Sequence, residues 1–360
     1  ESSKVDTSVV NVQTIPANTN AQPQQEATSE GMITQNINKI DSTMRVVKNE
    51  PCGSWDVDIS SRNKDFIQGI DVDYFQYLNE TYQKSEDNKR ASVALRAALY
   101  HGMETFFSLL GAFLQAPDAV YAWVAKCNTS DLRAILQRIN AKDKSLFVRY
   151  GFEKLTWRAV SDVVLNCYLS GTEKQQRTSE LFSTLWQRLS HEYLDINYIN
   201  EYNSIKHGFR IKAGGFALAI GEEKERGISP PPSEMKLIGK SDYGTSFFTV
   251  KQIGNLKGNR NLTSRRVSLN WKIEKVMLLL QLLSMSINNI TSALKIVNGI
   301  NPEACKFTRP TEDEVFNLPW KHTPGVTSFN LDFVIDEAIV PTTSKKELLE
   351  RLEKYQANNK

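Results

Sequence analysis

The chain has 360 residues, 40% of them apolar and 24% charged, with 44 Lys and Arg against 41 Asp and Glu for a formal charge of +3. That length supports one large core or two modest ones, and the composition is that of an ordinary globular protein, which excludes fibrous and low-complexity classes. So small a net charge carries no argument about partners, and only local clusters of charge are informative.

Residues 1–50 are rich in Ser, Thr, Asn, Gln and Pro and show no period, so they predict a polar tail that buries too little to offset its ordering entropy. Within it, Ile37, Ile40, Met44 and Val47 form a weak apolar spacing able to become a short helix or strand on docking. Pro51-Cys52-Gly53 opens the compact part. From Asp71 to about His207 the apolar spacing is almost wholly helical, and residues 51–208 are expected to form a bundle. One long helix is expected from Asp87 to Gln115, stopped by Pro117, and shorter ones at 117–126, 131–139, 145–169, 173–193 and 196–206. Thr129-Ser130, Thr172 and Asp195 are the expected N-caps, and Gly208 the terminator.

Beyond Gly208 the texture becomes β-rich, and residues 209–270 read as an insertion. Phe209–Lys212 and Gly215–Ile220 are expected to pair around Ala213-Gly214, with further strands at 246–253 and 265–269. Residues 271–300 form a long core helix that completes the bundle, with Ile273, Val276, Leu280, Leu283, Ile287, Ile290 and Leu294 on one broad face. Its longest apolar run, Val276–Leu283, is interrupted by Gln281 and far short of the ~20 residues that cross a bilayer, so no membrane association is expected. Residues 301–360 are a Pro-punctuated wrapping segment and a C-terminal helix opened by a capping box at Ser344 and Glu347. The fold class is therefore mainly α: a multi-helix bundle with a small antiparallel β excursion between the penultimate and last long helices.

Cys52, Cys127, Cys167 and Cys305 are widely spaced with no CxxC, which fits reduced thiols in a cytoplasmic protein. Asn289 begins a glycosylation sequon but falls inside the most apolar helix, where a glycan has no room. There is no HExxH, no close histidine pair, no GxGxxG and no GxxxxGK[ST], so neither a metal nor a cofactor is expected.

Two of the four histidines lie between Arg188 and Gly221. Asn203 and His207 are four apart and share a helical face, with Tyr202 and Lys206 as the adjacent pair. An imidazole, which titrates near ~6.5 in water, can take a proton from a ribose 2′-hydroxyl. A carboxamide can orient the phosphate, and Lys206 or Arg210 can stabilise charge on phosphorus. The structural alternative is that His207 complements the helix dipole in the last turn while Asn203 packs against the strands.

The Asn203-Ser-Ile-Lys-His207 stretch, late in a helical unit, resembles the second half of the Arg-polar-x(4–6)-His signature of HEPN domains. These are helical proteins commonly found as metal-independent ribonucleases in toxin–antitoxin and phage-defence systems. The resemblance implies that Asn203 is the polar residue and His207 the catalytic base, in a cleft often shared by two protomers. The position before Asn203 is Tyr202 rather than Arg, which leaves the phosphate-stabilising role to Lys206 or Arg210. A second match to the looser pattern, Arg96 to His101 with Glu104 three residues on, has Ala97 where the family prefers a polar group. A buried histidine held by a carboxylate is its structural alternative.

Between Lys251 and Lys275 the cations Lys257, Arg260, Arg265 and Arg266 stand in a segment whose only acid is Glu274, a composition that attracts phosphate backbones. A charged strand edge guarded against aggregation accounts for it equally. Phe247, Phe248 and Trp271 offer stacking faces unless the core takes them. The leading expectation is thus an RNA-binding or RNA-cleaving HEPN-like protein, dimeric, in phage defence or growth control. The alternatives are a non-catalytic module binding a protein partner, and an enzyme using His101 and Glu104 on a small substrate.

Overall fold

The computed structural model describes residues 12–16, 45–46, 53–54, 59–335 apart from 146, 148, 149, 226 and 254–260, and 343–358. The chain divides into two compact units. One is helical and comprises residues up to Tyr202 together with Trp271–Pro324; the other is β-rich and comprises Asn203–Asn270 with the residues from Gly325 onward.

The helical unit is built on α3 (Asn88–Gln115) and α9 (Ile273–Val297), the two longest helices. Asp87 starts α3 by accepting the Arg90 N–H at 2.9 Å, and Pro117 follows the last turn. Both helices bury almost every face, with Leu99, Phe106, Ala112, Leu279, Leu283 and Leu294 sealed from solvent, as expected of a helix at the centre of a core. Close approach is set by small residues: a Cβ at Gly102 would lie 2.7 Å from Leu283 Cδ2. By length and composition α9 could cross a bilayer, yet 78% of its most apolar window is buried inside the protein.

Around this pair lie α1 (Ile59–Gln68), α2 (Tyr74–Gln83), α4 (Val120–Lys126), α5 (Thr129–Asn140), α6 (Trp157–Val164), α7 (Glu173–Leu194) and α8 (Ile196–Lys206). Polar side chains fasten several of them. Buried Asn63 on α1 accepts the Val120 N–H at 2.7 Å and donates to Pro117 O and Asn298 Oδ1 at 3.1 and 2.8 Å, leaving none of its amide unpaired. Trp186 on α7 donates to Ser286 on α9 at 3.0 Å. The expected caps at Thr172 and Asp195 are found, accepting the Gln175 and Asn197 N–H groups, whereas α5 is capped by Asn128 in a capping box with Asp131 rather than by Thr129 or Ser130.

The helix expected over 145–169 is much shorter. Gly151 at φ +59° interrupts the helical backbone, Thr156 caps a new start by accepting from Ala159 N–H, and Leu165 closes it after Val164, leaving only α6. In the residues expected to be an unstructured tail, β1 (Val12–Pro16) pairs along its whole length with β9 (Lys306–Pro310), and β2 (Arg45–Val46) pairs with β3 (Gly53–Ser54). Strand β9 is itself held by buried Asn289 of α9, which accepts the Thr308 N–H at 2.7 Å and donates to Thr308 O at 2.8 Å.

The β-rich unit is larger than the small excursion expected. Its main sheet has the order β10-β8-β7-β4, all antiparallel, from Lys212–Ala213 (β4), Gly244–Ile253 (β7), Asn261–Asn270 (β8) and Ser328–Ile335 (β10). The expected hairpin between 209–212 and 215–220 is absent, because β4 joins β7 while β5 (Ala217–Ile220) pairs with β6 (Lys236–Lys240). Gly215 separates them at a close backbone crossing where a Cβ would sit 2.2 Å from Ser241 O. Asn270 then clamps both backbone groups of Phe216 at 2.8 Å. The excursion also does not end at α9: β10, from the segment expected to wrap the body, supplies the edge strand. Last comes α10 (Lys345–Asn358), capped as expected by Ser344 and Glu347.

Candidate functional site

Helix α8 ends in the β-rich unit with a left-handed turn that satisfies its last carbonyls. The His207 N–H reaches Asn203 O at 3.0 Å, Gly208 takes φ +89°, and the Phe209 and Arg210 N–H groups return to Ile205 O and Ser204 O at 3.3 and 2.7 Å. Phe209 also adopts positive φ, +49°, a strained conformation for a bulky residue that only a well-determined turn sustains. The turn leaves Asn203, Lys206, His207 and Arg210 all exposed, while Ser204 between them is buried. An imidazole, a carboxamide and two cations are therefore presented to solvent within eight residues. Exposed His207 beside the last turn is compatible with the dipole role of the structural alternative, whereas the packing of Asn203 that it also requires does not occur, since Asn203 is exposed.

Of the second group, only Arg265 and Arg266 fall among the described residues. Lys257 and Arg260 lie outside the described residues. Arg265 and Arg266 do not form one cationic patch, because successive residues of β8 point to opposite faces. Arg265 is neutralised by a two-pronged ion pair with Asp332 of β10, Nη2 to Oδ2 at 2.8 Å. Arg266 lies on the opposite face, in register with Phe248 and Leu331. Of the three aromatic candidates, Phe247 and Trp271 are buried and only Phe248 is open, at 63% exposure.

Arg96, His101 and Glu104 belong to the helical unit, and there the expected buried histidine held by a carboxylate is not found. His101 is exposed and meets Phe75 edge-on at 5.4 Å. Glu104 instead accepts from Thr129 Oγ1 at 3.1 Å and Tyr202 OH at 3.5 Å. Arg96 is the buried member, 2% exposed, with its Nε 3.0 Å from Glu201 Oε2. The other carboxylate oxygen accepts Trp271 Nε1–H at 3.2 Å. The guanidinium carbon lies 4.2 Å from the Tyr198 ring centroid and 5.4 Å from that of Tyr100, and Tyr100 stacks on Tyr202 at 5.1 Å.

Burial works against the Arg96 charge, but the Glu201 carboxylate outweighs it and the guanidinium pKa is raised. Burial likewise pushes the Tyr100 and Tyr198 phenols up, and Tyr202, with Glu104 beside it, is pushed up to about 12. This cage of cation, carboxylate and four aromatic rings holds Arg96 as a structural ion. Sequence reading singled out Arg96 but missed Glu201. The available signal was the spacing of Tyr198, Glu201 and Tyr202, which places all three on one side of α8.

Among the described residues no three His, Cys, Asp or Glu side chains are grouped to hold a metal ion. No family model, curated protein or solved structure matches the chain.

Proposed function

We propose that the chain binds RNA and cleaves it without a metal at the end of α8, in the manner of the HEPN domains that the Asn203–His207 stretch resembles. The observation that carries this reading is the joint exposure of His207, Asn203, Lys206 and Arg210 on one helix terminus. In the reaction, His207 takes the proton of a ribose 2′-hydroxyl, and O2′ attacks the adjacent phosphorus. Asn203 orients the phosphate by hydrogen bonding, and Lys206 or Arg210 stabilises the added negative charge. The P–O5′ bond then breaks, and the proton held by the imidazole passes to the departing oxygen. The products are a 2′,3′-cyclic phosphate and a 5′-hydroxyl. Lys212, exposed on the edge strand β4, supplies backbone attraction.

The test is incubation of purified protein with single-stranded RNA in EDTA and analysis of the new ends. Cyclic phosphate ends are expected from the native protein and none from His207→Ala, with unchanged circular dichroism. Cleavage that persists in that variant removes the assignment. A second reading, an interaction protein without turnover, is favoured by the open apolar face around Phe248, Leu331 and Phe333. On that reading His207→Ala alters stability alone, and charge reversal at Arg265 and Arg266 changes partner capture but no RNA degradation.

A further inference from the structure

The main sheet carries apolar side chains on both faces. On one, Phe247, Val267 and Leu269 are buried. On the other, the register aligns Phe248, Arg266 and Leu331 in one row, flanked by Phe329 on one side and by Val250 and Phe333 on the other. Paired positions on neighbouring strands share a face, so five large apolar side chains form one continuous surface around a single arginine. They are between 38% and 63% exposed. A sheet apolar on both sides is one that expects a cover on both sides, and here one side is open.

A matching surface lies on α10 of the same unit. Leu348, Leu349, Leu352 and Tyr355 follow the i, i+1, i+4, i+7 spacing of a helical stripe, are between 48% and 70% exposed, and belong to a helix with no buried residue. A 14-residue helix is marginal in water without packing, even when well capped. The stripe from Leu348 to Tyr355 is ~10 Å long at helical rise, and the strand face from Phe329 to Phe333 is ~13 Å long. The charges also fit. The open face bears no carboxylate, and Arg266 has no ion-pair partner among the described residues. Glu353, four residues beyond Leu349, flanks the stripe on α10.

We propose that a second copy of this chain covers the face, α10 of each protomer lying across β7, β8 and β10 of the other in a two-fold exchange. A single chain leaves both surfaces open, and a two-fold axis closes both at once. If each half-exposed side chain buries roughly half of what an aromatic buries, the paired contacts remove on the order of 1,500 Å², the size of a standard stable interface. The inference rests on the sheet and the terminal helix and is independent of the reaction proposed for His207.

The experiment is sedimentation velocity on the full chain across a concentration series. It compares the native protein with the helix variant Leu348→Glu/Leu352→Glu and the face variant Phe248→Lys/Leu331→Lys. A native dimer at micromolar concentration is expected, with each variant at least ~100-fold weaker in association. An equimolar mixture of the two variants recovers dimer in part, since one of its two contacts is intact. All four substituted residues are exposed, so circular dichroism outside α10 stays unchanged. As a check independent of destabilisation, Leu352→Cys and Phe248→Cys chains are mixed and oxidised, and a cross-link between chains is expected. A native chain that is monomeric at tens of micromolar overturns the proposal, and so does a dimer that survives either variant. A Leu352→Cys/Phe248→Cys double variant that links only within one chain shows that α10 covers its own sheet instead, and equally overturns it.

Discussion

Removing Glu201 strands a cation in the core, and the expected loss is large. Arg96 is 2% exposed and Glu201 0%, so neither side chain can turn to water when the other is replaced. Breaking a buried pair from one side costs ~3–5 kcal/mol, whereas replacing both members by apolar residues of similar volume is often neutral. Glu201→Leu is therefore expected to lower the stability of the helical unit by about 3–5 kcal/mol, and by somewhat more if Trp271 Nε1–H, which donates to the same carboxylate, finds no other acceptor. Adding Arg96→Met is expected to restore most of the loss, because the methionine thioether fits among the Tyr100, Tyr198 and Trp271 rings. The assay is urea unfolding followed by tryptophan fluorescence on the native chain, both single variants, the double variant and the milder Glu201→Gln. A favourable coupling of about 2 kcal/mol or more between the two sites is the expected result. Single variants that each lose less than ~1 kcal/mol would refute the reasoning, as would a double variant that loses the sum of the singles.

Three further outcomes follow from the same packing. Gly111→Ala places a Cβ 2.4 Å from the buried Trp123 ring, and overpacking against a rigid indole is expected to cost ~1–3 kcal/mol; a melting temperature equal to or above the native value refutes it. Stability should decline at alkaline pH, because burial raises the phenols of Tyr100, Tyr193 and Tyr198 and holds Tyr202 at about 12. The phenolate forms more readily in the unfolded chain, so this contribution is complete below ~10 and is lost as pH rises through the folded values; phenolate absorbance should appear together with unfolding rather than before it. At the acid end, burial presses the Asp313 carboxyl upward but hydrogen bonds from Arg177 and Arg309 outweigh it, and its pKa is lowered. Its contribution is present above the ordinary carboxylate value of ~3.9 and is lost as pH falls through the folded value. Asp313→Asn should therefore be destabilising at neutral pH, with the difference from the native protein shrinking in strong acid.

The helices were legible in the sequence wherever periodicity and a cap agreed, as at Asp87–Gln115 and Thr172–Leu194, and illegible where helical spacing continued across a backbone break, as at Gly151. Strands were less readable because their partners are remote. Nothing near Val12 announces Lys306, and the pairing of β5 with β6 depends on the Gly215 crossing and the Asn270 clamp rather than on local alternation. For the candidate site, the exposure of Asn203 and His207 followed from a helix ending at Gly208. The division of Arg265 from Arg266 needed only the strand period of two, but charge clustering obscured it. The Arg96 cage needed three dimensions, since Glu201 lies 105 residues further along the chain.

The placement of the β-rich unit also bears on how the protein is born. Its first part begins in the last turn of α8 and runs to Asn270, just before α9, and ribosomes add roughly 5–20 residues each second. Several seconds thus separate the emergence of α8 from that of the helix that seals α3. During that interval the greasy flank of the nascent helical half is uncovered, and a chaperone that guards such surfaces would be needed most before Leu294 leaves the exit tunnel.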